Sequence, residues 1–250
     1  MMLAGSLACA VALLAPVAAT AQMSQERERA RPYYRSGWQF MRLEAWADAA
    51  KSFQQAIDVD PQFEDAYYSL GRANMGLKKY VEAIAAYTKS RDLYRAHAGR
   101  MFTNQQEAQR YRRDRLTELD EVLRSLQTGP QTMRIQDQIR RVTDQRRQIQ
   151  DYLQRGATIT IENSVPAFVS LALGSAYFRA GRLEDAEREY KEAIAADPRT
   201  GEAHSNLAVV YFETERYADA ERALTAAEKA GFKVHPQLKQ QITDKLRKGT

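Results

Sequence analysis

Apolar and small residues recur along this chain at a spacing of 34 positions. Tyr33, Gly37, Ala49 and Phe53 return as Tyr67, Gly71, Ala83 and Tyr87. Further on, Leu173, Tyr177, Ala186 and Ala193 return as Leu207, Tyr211, Ala220 and Ala227. A fixed period of this length marks a repeat architecture, in which one unit cannot bury its apolar face without a neighbour. Each unit reads as two short helices. Gly37, Gly71, Gly174 and Ala208 let the first helix come close to the second, and Ala49, Ala83, Ala186 and Ala220 do the same from the other side. Tyrosine and phenylalanine positions fill the space between units. Pro61 and Pro198 stop the second helix, because proline lacks an N–H and disfavours helix in the residue before it.

Between the two pairs of units the period breaks. Extending the register places Gln105, Thr117 and Arg124 where small residues belong. A different pattern takes over. Leu116, Leu119, Leu123 and Leu126 step by three and four, as do Ile135, Ile139, Val142, Ile149 and Leu153, with Arg146 interrupting. Thr128-Gly129-Pro130 separates the two series. This pattern predicts an antiparallel helical hairpin with a coiled-coil-like seam, its arms about 25 residues long. Pairing Leu123 with Ile139 and Leu119 with Val142 sets Leu116 beside Arg146. A hairpin returns the chain close to where it left, so the flanking pairs can stack as one body. Thr158 to Ile161 alternates as an extended linker would, and Ser164 is placed to cap the next helix. At the far end, Pro236 opens a last helix whose Leu238, Ile242 and Leu246 share one stripe and close the stack.

The repeating positions resemble the tetratricopeptide repeat, a helix–turn–helix unit of 34 residues. The third unit carries the likeness best, with Leu173-Gly174, Tyr177, Gly181, Ala186, Tyr190, Ala193 and Pro198. The first carries it with Tyr33, Gly37, Phe40, Ala49, Phe53, Ala56 and Pro61. The second has Ser90 and Arg95 where alanine and proline are usual, and the fourth ends at Gly231 without a proline. The resemblance implies an all-α solenoid of helix pairs: units one and two over 30–97, a hairpin insert and linker over 98–166, units three and four over 167–232, and a cap over 235–250. It also implies a concave groove lined by the first helix of each unit. Carried onto this chain, that lining is Tyr34, Trp38, Met41, Tyr68, Arg72, Met75, Phe178 and Phe212. An apolar, aromatic groove of this kind suits an extended peptide or a partner helix. Tyr34 and Trp38 stand where some relatives hold a C-terminal carboxylate with Lys and Asn, which argues against chaperone-tail binding.

Composition changes this picture at three points. From Met2 to Ala21 there is no charge, and Ala19-Thr20-Ala21 offers the small-x-small pattern of a signal-peptidase site. The expectation is a cleaved signal peptide over 1–21 and export to a bacterial periplasm or cell envelope; the alternative is a retained segment that anchors the chain in a membrane. Cys9 is the one cysteine and lies inside that segment, so the exported chain has no disulfide and no thiol nucleophile. The net charge is +5, and the hairpin arms are rich in arginine. Arg112, Arg113, Arg140, Arg141 and Arg147 are candidates for an anionic polymer or lipid head group. The simpler reading of the arm charges, Arg115 and Glu118 among them, is a solvated helix face. Nucleic acid is not an expected partner, since Tyr111 and Tyr152 are the only aromatics in the arms.

No catalytic chemistry stands out. His97, His204 and His235 lie far apart without ligand spacing, and there is no HExxH, phosphate loop or GxSxG. His204 takes a position that tyrosine holds in earlier units and reads as packing. The chain is therefore expected to be a non-enzymatic scaffold or adaptor, with no cofactor and no metal.

Overall fold

The 34-residue period is realised as a repeated pair of antiparallel helices. The computed structural model describes residues 15–97, 105–128, 133–154 and 165–248, some of them by backbone alone. Within these residues the fold is all-helical, with eleven helices. Units one and two are α1 (Ala15–Arg42) with α2 (Trp46–Val59), and α3 (Glu64–Gly76) with α4 (Tyr80–His97). Two longer helices follow, α5 (Gln105–Gln127) and α6 (Met133–Gln154). Units three and four are α7 (Ala167–Arg179) with α8 (Leu183–Ala196), and α9 (Gly201–Glu213) with α10 (Tyr217–Lys229). The last helix, α11, spans Pro236–Lys248.

The first helix is described from Ala15, upstream of the expected cleavage point after Ala21, and carries Pro32 in its interior. Cys9, the alternating stretch Thr158–Ile161 and Ser164 lie outside the described residues. The N-cap position of α7 is Pro166, not Ser164, and no side chain caps it. No helix among the described residues is long and apolar enough to cross a membrane.

Each unit turns the corner in the same way. Glu44, Lys78, Gly181 and Glu215 stand at equivalent places between first and second helix, all with positive φ. The residue after each sends its N–H back to a carbonyl of the last helical turn: Ala45 to Phe40, Lys79 to Asn74, Arg182 to Tyr177 and Arg216 to Tyr211, at 2.8–3.0 Å. This is the closing bond of a Schellman turn, and it absorbs carbonyls that the helix end leaves unpaired. Inside the unit the helices touch through the small position of the first. A Cβ at Gly37 would stand 2.5 Å from the Phe53 ring, and one at Gly174 would stand 2.8 Å from the Tyr190 ring. Aromatic side chains of the second helices thus lie flat against backbone.

The units stack without a gap. α2 packs on α3, α8 on α9, and α4 on α7. The last of these contacts joins the two pairs directly across the insertion. One apolar cluster accordingly runs from Ala83 and Tyr87 on α4, through Leu173 and Tyr190, to Leu224 on α10 and Ile242 on α11. α11 covers the open end of unit four, with Ile242 fully buried and Leu238 and Leu246 packed at its edge. α5 and α6 pack on each other as a hairpin, and α5 also lies on α1. Arg146, which interrupts the apolar series of α6, reaches Asp120 at 2.7 Å.

Candidate partner-binding groove

First helices stand side by side in the stack, α3 next to α7 and α7 next to α9. The positions expected to line the concave face recur with the period. Tyr34 corresponds to Tyr68, Leu171 and Ser205; Trp38 to Arg72, Ser175 and Val209; Met41 to Met75, Phe178 and Phe212. Equivalent residues have unequal surroundings. In units two to four, Tyr68, Arg72, Met75, Phe178 and Phe212 are half-buried, with one side open. In unit one, Tyr34, Trp38 and Met41 are only 3%, 5% and 8% exposed. They share an apolar cluster with Val122 and Leu126 of α5, against which Ile139 and Val142 of α6 also pack. The hairpin thus fills the first part of the groove and leaves the rest uncovered.

Aromatic contacts order the uncovered part. Tyr68 meets Phe168 edge-on at 4.8 Å, a contact that spans the joint between units two and three. It also lies 5.5 Å from Tyr87. Phe212 lies against Tyr217 at 5.7 Å. The Arg72 guanidinium sits over the Trp38 ring at 5.0 Å, where the hairpin-covered stretch meets the open one.

The seat of α5 on α1 is polar at one end and apolar at the other. Arg27 is its centre. Its Nε donates to Asp60 at 2.5 Å, Nη2 to Glu64 at 2.9 Å and to the Gln62 carbonyl at 3.0 Å, and Nη1 to Glu118 of α5 at 3.2 Å. Its plane stacks on Phe63 at 4.1 Å. All three carboxylates are buried. Burial alone would favour loss of the Arg27 proton, but Glu64, Glu118 and Asp60 outweigh it and hold the guanidinium well above its usual range. A second set of groups continues the network. Arg115 pairs with Asp65 and, at 3.1 Å, with Glu118. It also donates to the Tyr94 hydroxyl at 2.7 Å, which itself donates to Asp65 at 2.5 Å. Burial, with Glu64 adding to it, pushes the Tyr94 phenol well above its ordinary value. Along the rest of the seat, Arg35 reaches Glu121 at 2.6 Å and Arg42 bonds Thr128. From Arg27–Glu118 through Arg35–Glu121 to Arg42–Thr128 the partner numbers rise together, so α5 runs parallel to α1, while Arg31 reaches back to the Asp114 carbonyl at 3.4 Å.

For Arg115 and Glu118 this corrects the reading as a solvated face, since they point inward and are paired, while Arg110, Arg113, Arg124, Arg140 and Arg147 are exposed. The network was missed in the sequence, though a trace of it is present: Arg115, Glu118 and Val122 form a stripe one step round from Leu116, Leu119 and Leu123 and run into the leucine series at Leu126. Not all of the candidate anion-binding arginines are open cations. Arg112 is buried. Arg113 donates to the Gln109 carbonyl at 3.3 Å, Arg147 lies 3.8 Å from Asp144, and Arg140 is exposed. The side chain of Arg141 is outside the description.

His204 Nε2 donates a hydrogen bond to the Pro198 carbonyl, 3.0 Å away. With Leu207, Tyr211, Lys191 and Arg222 it lines an open cleft of about 480 Å³ between α8, α9 and α10. Its cations are already engaged, Lys191 with Glu187 at 2.6 Å and Arg222 with Asp219. Among the described residues no group of three or more His, Cys, Asp or Glu is arranged to hold a metal ion.

A stack of equivalent helix pairs with a concave face of first helices is a helical-repeat solenoid. The profile of one family, the tetratricopeptide repeat, matches residues 28–98 and 171–232, and the chain belongs to that family. Comparison with curated proteins gave no match. Among solved structures, PilW, described as a widely conserved type IV pilus biogenesis factor, is similar at 16% identity and a TM-score of 0.40, over 87% of this chain and 86% of that one. TTC0263, a thermophilic TPR protein of Thermus thermophilus, is similar at 20% identity and a TM-score of 0.36, over 87% and 98%. YrrB, described as a TPR protein with an unusual peptide-binding site, is similar at 18% identity and a TM-score of 0.27, over 84% and 91%. The tetratricopeptide repeat is in general a non-enzymatic protein-interaction fold.

Proposed function

We propose that this chain is a scaffold or adaptor that binds a peptide or partner helix in the uncovered part of its concave groove. One observation carries the reading: Tyr68, Met75, Phe178 and Phe212 recur on adjacent first helices as half-buried apolar side chains with one side open. Such side chains cost little to order and gain from burial by a partner, which is the character of an interface anchor. Arg72, at the edge of the row, supplies a cation for one end of the ligand.

The uncharged stretch Met2–Ala21, with its small-x-small end, supports a place in the periplasm or envelope of a bacterium. Panning a random-peptide display library on the chain tests the binding reading. The expected binders are apolar or aromatic, and they hold on between 50 mM and 500 mM salt. Binders that are uniformly acidic and fall away steeply with salt would favour the arginine-rich arms as an anion-binding surface instead.

A further inference from the structure

The groove of unit one is filled by part of the same chain, and its filling has a definite chemistry. On the groove side, Tyr34, Trp38 and Met41 give an apolar floor, and Arg27, Arg31 and Arg35, with Asp65 beside them, give a charged wall. On α5, Asp114, Glu118 and Glu121 meet the arginines of that wall, Arg115 meets Asp65, and Val122 and Leu126 meet the floor. We infer that this stretch is a binding site for an amphipathic helix of mixed charge, that α5 occupies it as an internal ligand, and that a partner helix with arginine at i−3, acids at i and i+3 and apolar residues at i+4 and i+8 displaces it.

Three features set α5 apart from a core helix. First, units two to four stack without it: α4 packs directly on α7, and their apolar cluster continues to α11 without the hairpin. Second, the equivalent positions of units three and four, such as Phe178 and Phe212, keep an open side, so a covered groove is not a requirement of the repeat. Third, the polar end of the seat is held by ion pairs in a buried setting. Desolvation offsets much of what such pairs gain, and a second helix bearing the same charges can make the same bonds. The helices within a unit, by contrast, meet through small and aromatic side chains that water does not replace. The site involves none of the residues on which the proposed function rests, so the two readings stand or fall separately.

The probe is a fluorescein-labelled peptide of the α5 sequence, residues 112–128, and its binding to the full chain is read by anisotropy. Two loosened chains are compared with the wild type: Val122→Ser with Leu126→Ser, and Glu118→Gln with Glu121→Gln. The expected result is saturable binding to the wild type and at least tenfold tighter binding to a loosened chain that keeps its helical circular dichroism. A peptide with both acids changed to arginine is expected not to bind. Equal affinity for all chains overturns the inference, as does absence of binding to a loosened, helical chain. Loss of the whole helical signal in both loosened chains also overturns it, since α5 would then be core. So does a dimer of the loosened chain, which would give the site to a second copy.

Discussion

Arg27 and Glu118 stand 3.2 Å apart although 91 positions separate them. Their contact is the point at which the inserted hairpin is fastened to the first repeat. Arg27 serves two further buried acids at the same time, Asp60 and Glu64, at the joint between α2 and α3. It therefore ties the hairpin and the first two units to one guanidinium.

Removal of Arg27 leaves three carboxylates buried without their main counter-charge. Arg27→Met is expected to lower stability by about 3–5 kcal/mol, the range for breaking a buried pair from one side. Glu118→Gln keeps a hydrogen-bond acceptor and is expected to cost less. Urea titration followed by circular dichroism measures both. Equal, small effects would show that the network is not what holds α5 in place.

The close approach of α1 and α2 makes a second prediction. A methyl group at Gly37 would meet the Phe53 ring at 2.5 Å. Gly37→Ala is expected to destabilise by about 1–3 kcal/mol through overpacking. Phe53→Leu is expected to be destabilising alone but to recover part of the loss when combined with Gly37→Ala. A double-mutant cycle reads this coupling, and strict additivity would mean that the two residues do not touch.

Alkaline pH is expected to act through buried tyrosines. Burial pushes the Tyr190 phenol up to about 12, and Tyr94 also lies well above its ordinary value. The unfolded chain ionises these groups near the usual phenol value of about 10. Above that point the unfolded state holds fewer protons than the native one, so raising the pH favours unfolding. Stability from Tyr190 is thus fully present below about pH 10 and lost as pH climbs to about 12, amounting to about 3 kcal/mol. Melting curves from pH 8 to 11.5 measure the fall, and Tyr190→Phe is expected to flatten it.

The repeat was legible because its geometry constrains residue size. A glycine or alanine must face an aromatic ring at Gly37 and Gly174, and a proline ends two of the second helices, so the period shows in the letters themselves. The end cap was legible for a similar reason, since Leu238, Ile242 and Leu246 can share only one face of a helix. The covering of unit one was not. Tyr34, Trp38 and Met41 look the same in sequence whether they face solvent, a partner or another helix of their own chain. Arg115 and Glu118 likewise look like ordinary surface charges until Arg27, Asp65 and Tyr94 are brought to them by the fold. Long-range pairing of charges leaves no period to find.

Calorimetric titration of the chain with a peptide obtained by panning tests the central claim most directly, when set against two variants. Phe178→Ser with Phe212→Ser alters the open groove. Val81→Ser alters an apolar side chain that is 75% exposed on a second helix. The groove variant is expected to bind at least tenfold more weakly, about 1.4 kcal/mol or more, and the Val81 variant to bind as the wild type does. Undiminished binding by the groove variant, or loss of binding by the Val81 variant, would contradict a concave surface of first helices as the place of contact.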